Sequence, residues 1–285
     1  MARILIVGAG DVGGRLAVDL ASQGHEVWAL RRSLPAQRQM LAGVHCLVAD
    51  VTQPQTLAAL PAALDIVVTA LSPGESGVAA YRRVYVEGTR NLMQALAGQA
   101  LKHHFWVSST SVYGQSRGEW VDADMPAQPG SDTAHELLAA EAVAQAAGWP
   151  CSIVRFGGLY GPGRHWLLRW VSSGRPVQQH PPSWSNRIHV EDAAGFLAHL
   201  VGLALAGQPL NSIYIGADDL PTPQHEVLGW LAEQLDCPPL PVENQPDANL
   251  GKRLSNSSLR ASGYDLRYPD FRAGYLQVLA ARQSR

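Results

Sequence analysis

Near the start of the chain, Gly8, Gly10 and Gly13 stand in G-x-G-x-x-G spacing within "RILIVGAGDVGGRLAVDLASQGHEVWALR". No other stretch limits the possible folds as strongly. The motif follows an apolar run that reads as a strand, opens a helical pattern, and leads to a second strand. Each glycine has its own task in such a unit. Gly8 permits the tight turn, Gly10 lets a pyrophosphate approach the backbone, and Gly13 lets helix and strand pack closely. Unpaired N–H groups at the positive end of the helix then favour an anion. The unit predicts a dinucleotide site.

The alternation continues along the first half. "GVHCLVAD", "DIVVTAL", "KHHFWVSS" and "CSIVRFG" read as strands. "PQTLAALPAAL", "AAYRRVYVEGTRNLMQALAG" and "DTAHELLAAEAVAQAAG" between them read as helical. Such alternation implies parallel strands joined by right-handed crossovers. The expected fold class is α/β, a doubly wound parallel (Rossmann) sheet with a smaller C-terminal lobe. In the second half, "SSGRPVQQHPPSWSN" and "CPPLPVENQPDANLGK" are rich in Pro and polar residues and read as loops. "VEDAAGFLAHLVGLALAG" and "PQHEVLGWLAEQLD" read as helices there, and "SIYIGA" as a strand. The nucleotide-binding domain is expected over residues 1–157 and 187–216, and the substrate lobe over 158–186 and 217–285.

Composition narrows the partners. Hydrophobic residues make up 46% and charged residues 16%, which suits a compact globular chain. A net charge of -2 gives no basic footprint for nucleic acid. No run of about 20 apolar residues occurs, so no membrane span is expected. The opening residues carry no signal-peptide pattern. Cys46, Cys151 and Cys237 are odd in number and widely spaced, so neither a disulfide framework nor a metal set is expected. They read as buried small hydrophobes in a reducing, cytoplasmic setting.

The end of the second strand sets cofactor choice. An acidic residue there would bind the adenosine ribose hydroxyls of NAD. This chain has Arg31, Arg32 and Ser33. Guanidinium forks suit a 2′-phosphate, so NADP is preferred, with NAD left open and a purely solvated pair of arginines as the alternative. Asp50, in "VADVTQ", is placed either to accept from the adenine amino group or to cap the following helix.

"GAGDVGGRLA", "VEGTRNLMQAL", "VSSTSVYG", "VRFGGLYGPGR" and "NRIHVEDAA" follow one another in that order. Together they resemble the extended short-chain dehydrogenase/reductases, the NAD-dependent epimerase/dehydratase group that mostly handles nucleotide sugars. The resemblance spans nearly the whole chain. It implies the fold, a dinucleotide site, a substrate lobe for a small molecule, and a homodimer formed through the helices containing Tyr85 and Leu138. The cofactor residues expected are Gly8, Gly10, Asp11, Val12 and Gly13, then Arg31, Arg32 and Ser33, Asp50 and Val51, Ala70 and Leu71, and Ser108.

The family's chemistry uses Ser or Thr, Tyr and Lys. The resemblance puts Ser109 in the serine slot, Thr133 in the tyrosine slot and Leu137 in the lysine slot. No tyrosine lies between Tyr113 and Tyr160, and Lys102 and Lys252 are the only lysines, so sliding the register restores nothing. A phenol titrates near about 10 and a neighbouring cation brings it down, whereas an aliphatic hydroxyl ionises far too weakly to replace it. Losing such a group typically costs about 10²- to 10⁴-fold in rate.

Substitutes for the missing acid include Tyr113, Tyr160 and His165, each with a structural alternative. His135 and Glu136 read as surface residues. Thr133 and Glu136 have capping-box spacing, with Asp132 as an alternative cap. On the substrate side the resemblance points to Arg164, His165, Trp184 and Arg187, while Trp166 and Trp170 also read as one buried helix stripe. The asparagine that many family members carry after Arg155 is Gly158 here, which departs from ordinary nucleotide-sugar binding.

Two readings follow. One is an atypical NADP-dependent oxidoreductase or epimerase using Ser109, Thr133 and Tyr113. The other is a catalytically silent NADP(H)-binding redox sensor or regulator.

Overall fold

The computed structural model describes residues 1–33 and 42–283. In chain order the first half runs β1 (Arg3–Val7), α1 (Asp11–Ser22), β2 (Glu26–Arg31), β3 (His45–Val48), β4 (Ile66–Thr69), α2 (Val78–Tyr81), α3 (Gly88–Ala95), β5 (His103–Ser109), β6 (Arg117–Val121), α4 (Asp132–Gln145) and β7 (Cys151–Phe156). The second half runs β8 (Gly158–Tyr160), α5 (Trp166–Ser172), β9 (Trp184–Ser185), β10 (Arg187–His189), α6 (Val190–Leu205), β11 (Ile213–Gly216), β12 (Thr222–Pro223), α7 (Gln224–Gln234), β13 (Gly251–Leu254), α8 (Ser257–Ala261) and α9 (Phe271–Gln283).

Seven strands form one sheet in the order β11-β7-β5-β4-β1-β2-β3. Every pairing in it is parallel. The strands are apolar on both faces because helices cover both. Alternation along β1 shows this directly. Ile4 and Ile6 join one core with Leu16 and Leu20 of α1 and Phe196 and Leu200 of α6. Leu5 and Val7 join the opposite core with Leu92 and Leu96. The chain changes direction between β1 and β4, so a crevice opens at their carboxyl ends.

Several local expectations change. The helical pattern after β3 is only a 3₁₀ turn, Pro54–Ala59. Leu60 is extended and precedes Pro61, whose ring disfavours a helical residue before it. The long helix after β4 is interrupted by a π-helical segment, Arg82–Glu87, between α2 and α3. Ser131 caps α4, accepting from the Ala134 N–H at 3.4 Å. Neither Thr133 nor Asp132 caps it, because both already lie in the helix. Glu136 is buried rather than on the surface: Arg82 donates to both of its carboxylate oxygens, at 2.6 and 3.1 Å. The three cysteines are free and only partly buried.

The C-terminal part has its own core, in which Leu168, Val171, Val227, Leu231, Phe271 and Tyr275 pack with Tyr160. It is tied to the sheet body in two ways. β13 pairs parallel with β6. Asp192 of α6 accepts from the Tyr264 hydroxyl and from the Arg267 and Tyr268 N–H groups. Among the described residues, no helix is long and apolar enough to cross a membrane.

Candidate functional site

Two cavities meet at the glycine loop. One, of about 360 Å³, is lined by Gly8, Gly10, Arg31, Arg32, Ser33, Asp50, Val51, Ala70 and Leu71, together with Glu75, Arg83 and Val84. The other, of about 330 Å³, shares Gly8, Gly10, Ala70 and Leu71 with it. Its further lining includes Asp11, Val12, Gly13, Tyr85, Ser108, Ser109, Leu137 and Arg164. Each residue expected at the cofactor therefore lines one cavity or both.

The loop between the cavities fits a pyrophosphate. Gly8 has φ +94°, and a Cβ there would collide with the Ala70 carbonyl. A Cβ on Gly13 would collide with the Gly8 carbonyl, so α1 and β1 approach as closely as they do only with glycine. A Cβ on Gly10 would project into open space. The α1 N-terminus begins after Gly10 with no side-chain cap, leaving its first N–H groups for an anion. Asp50 Oδ1 accepts from the Thr52 N–H and hydroxyl at 2.9 and 2.8 Å, so it fixes the turn after β3 while lining the cavity.

In the second cavity, Ser109 Oγ accepts the Ser111 N–H at 3.1 Å. Its own proton remains free to donate. Ser108 donates to Glu141 at 2.5 Å. Glu141 is also paired with Arg155, at 3.0 and 2.6 Å, and Arg155 donates to the Tyr113 hydroxyl at 2.7 Å. Arg164 donates to Asp11 at 2.8 Å and Arg15 donates to its other oxygen at 3.0 Å.

A family model described as NAD(P)H-binding matches residues 8–202, more than half of the chain. A solved candidate NAD-dependent epimerase/dehydratase from Methylobacillus flagellatus is 41% identical, with a TM-score of 0.85 and 99% of each chain covered. The chain belongs to the NAD(P)H-binding epimerase/dehydratase family. Protein YeeZ of Escherichia coli strain K12 is 26% identical over 278 residues, covering 95% of this chain and 97% of YeeZ. The dTDP-glucose 4,6-dehydratase DesIV of Streptomyces venezuelae, solved with NAD and TYD bound, is 20% identical with a TM-score of 0.81, covering 99% and 97%. At that identity the likeness speaks for the fold.

Within this epimerase/dehydratase frame, the catalytic candidates separate. Ser109 lines the cavity. Leu137, in the family's lysine slot, lines it too. Thr133 is not among the lining residues, and its hydroxyl lies 3.3 Å from Ser131 Oγ. Tyr113 is 1% exposed and held by Arg155, so it does not face the cavity. Burial raises its pKa, with the Arg155 charge opposing. Tyr160 is also buried, donates to the Asp270 carbonyl at 3.3 Å and stacks on Tyr275. Lys102 pairs with Asp65. Lys252 donates to the Tyr113 carbonyl at 2.5 Å and lines neither cavity.

The substrate-side residues scatter. Arg164 alone lines the cavity. His165 immediately precedes α5, and its Nδ1 is buried without a hydrogen bond. Trp184 is covered by the Arg253 guanidinium, 4.8 Å from its ring centre. Arg187 is 4% exposed, bonded to Ser185 and lying beside Phe271, so it is withdrawn into the lobe. Burial raises the nearby Asp218 to about 7, with Arg187 opposing. Of the tryptophan pair, Trp166 is 54% exposed while Trp170 joins the lobe core.

Arg83 and Tyr85 line the site without having been expected there. Arg83 joins Arg31 and Arg32 around the first cavity and pairs with Glu75 at 2.9 Å. Tyr85 lines the second. Both lie on the π-helical segment, where ordinary 3.6-residue periodicity no longer tells which side a residue faces.

Proposed function

We propose that the chain is an atypical NADP-dependent oxidoreductase or epimerase acting on a small carbonyl or hydroxyl substrate, sugar-nucleotide-like compounds included. One observation carries the reading: the crevice runs from Arg31, Arg32 and Ser33, past the glycine loop, to a free Ser109 hydroxyl. Arg31 and Arg32 give the first cavity the charge for a 2′-phosphate, while Arg83 beside them is paired with Glu75. The cofactor's pyrophosphate belongs on the loop that both cavities share, which leaves its nicotinamide to the second. When bound, NADP(H) supplies or accepts a hydride. Ser109 orients the substrate oxygen by donating to it. Leu137 and Phe156 keep that end of the cavity apolar.

Melting curves test the cofactor assignment. A site filled to about 100 times its dissociation constant stabilises the fold by roughly 2.7 kcal/mol. NADP is expected to raise the melting temperature at concentrations where NAD does not, and Arg31→Ala/Arg32→Ala is expected to remove that difference. A shift with NAD and none with NADP would overturn the arginine argument. No shift with either would overturn cofactor binding altogether.

A second reading rests on Thr133 and Leu137 in the tyrosine and lysine slots: a silent NADP(H)-binding redox sensor. It expects tight binding with no change in nicotinamide absorbance on adding carbonyl or alcohol substrates. Turnover of any such substrate excludes it.

A further inference from the structure

The geometry points to Tyr85 as the proton donor that replaces the family's missing tyrosine, delivered from a different helix. The inference rests on the proposed NADP-dependent reading of the same crevice. Its basis is which protonatable groups the second cavity presents. Asp11 and Arg164 are committed to one another. Ser108 is committed to Glu141. Ser109 and Ser72 are aliphatic hydroxyls, too weakly acidic for the task. Tyr85 is the phenol in that lining, and its hydroxyl makes no hydrogen bond to any described residue.

The placement is built rather than accidental. Tyr85 lies in the π-helical segment Arg82–Glu87, a distortion that recurs at functional sites. Tyr81 meets its ring edge-on at 5.2 Å and Trp106 at 5.9 Å. These two rings fix its direction with no bond to the hydroxyl. Leu137, from the helix that carries the acid in the rest of the family, packs in the same core and lines the same cavity. The chain thus has a phenol and the free Ser109 hydroxyl facing one apolar space.

The step balances as a reduction. A carbonyl substrate gains the hydride that NADPH gives up at its carbon, while the C=O π bond becomes the oxygen's new bond to hydrogen. The Tyr85 O–H bond breaks as that bond forms. The products are an alcohol, NADP⁺ and a phenolate, and solvent returns the proton to Tyr85. Burial holds the phenol well above its ordinary value, at about 12, so it is fully protonated at neutral pH. The raised value keeps the phenol in the form that can donate a proton and withholds the phenolate that an oxidation would need as its base.

Tyrosine ionisation followed by ultraviolet absorbance, with and without saturating NADP⁺, tests this without any substrate. The nicotinamide ring of NADP⁺ is cationic. An opposite charge within contact range of a phenolate lowers its pKa by about 1 to 3 units. We expect one phenol to shift in the wild type and in Tyr81→Phe, and the shift to vanish in Tyr85→Phe. Tyr85→Phe is expected to melt at the wild-type temperature, since the hydroxyl bonds to no described residue. NADP⁺ binding with no phenol shift, or a shift that survives Tyr85→Phe, overturns the assignment of Tyr85. Failure of NADP⁺ to bind overturns the parent reading instead, and this one with it.

Discussion

Glu141→Gln is expected to destabilise the protein by about 3–5 kcal/mol, the usual cost of removing one partner of a buried ion pair. Glu141 and Arg155 are 2% and 3% exposed at their side chains. Their attraction does not make the fold stable by itself, because both charges gave up water to be there. The damage comes from the charge left behind. With glutamine at 141, the Arg155 guanidinium keeps only neutral partners, among them the Tyr113 hydroxyl. Ser108 loses an ionic acceptor at the same time. Denaturant unfolding checks the size of the loss. Pairing Glu141→Leu with Arg155→Met is expected to recover most of it, since an apolar pair of similar volume asks for no compensation. If the double variant is no better than the single one, the hydroxyls of Ser108 and Tyr113 carry the network instead.

The second large effect is a loss of stability in mild acid. His103 and His104 lie side by side on β5, and His104 contacts Thr69 at 2.9 Å while His103 contacts Ser152 at 2.9 Å. Burial lowers His103 to about 4. Burial, aided by the charge of His103, lowers His104 to about 3. The unfolded chain binds both protons near the ordinary value of about 6.5, while the folded chain refuses them. Stability from this pair is therefore full above about 6.5 and falls as the pH drops toward the folded values. At pH 5 the two histidines are expected to cost on the order of 4 kcal/mol. Asp218 acts with the opposite sign, because its raised pKa makes the folded chain the better proton binder between about 4 and 7. That gain returns roughly 2 kcal/mol between pH 7 and 5. The histidine part is isolated by comparing the wild type with His103→Asn/His104→Gln at matched pH. Parallel stability profiles for the two proteins would show that the histidines do not titrate on unfolding.

The sheet and the glycine loop were legible because their signals are local. Each strand is a short apolar run, and G-x-G-x-x-G carries its own geometric reason. Arg31, Arg32 and Ser33 could be placed because a strand's end in this fold opens on the crevice. What failed to show depended on distant partners. Glu136 reads as a surface residue until Arg82, 54 positions away, arrives to neutralise it. Ser131, Asp132 and Thr133 are all good caps, and nothing local says which one leaves the helix first. Arg187 lies between Asn186 and Ile188 at the start of a short strand, and its burial follows from contacts with a helix that begins at Phe271. Tyr85 was hidden because the helix that bears it changes its turn.

The pairing of β13 with β6 also has a consequence in time. Arg253 meets Gly118 across 135 positions of chain. At synthesis rates of about 5–20 residues per second, β6 waits on the order of ten seconds for its neighbour. Through that interval its edge lies open beside the Ser109 loop, with unpaired N–H and C=O groups of the kind that recruit stray strands. The nucleotide-binding body, whose strands pair over far shorter spans, can assemble meanwhile.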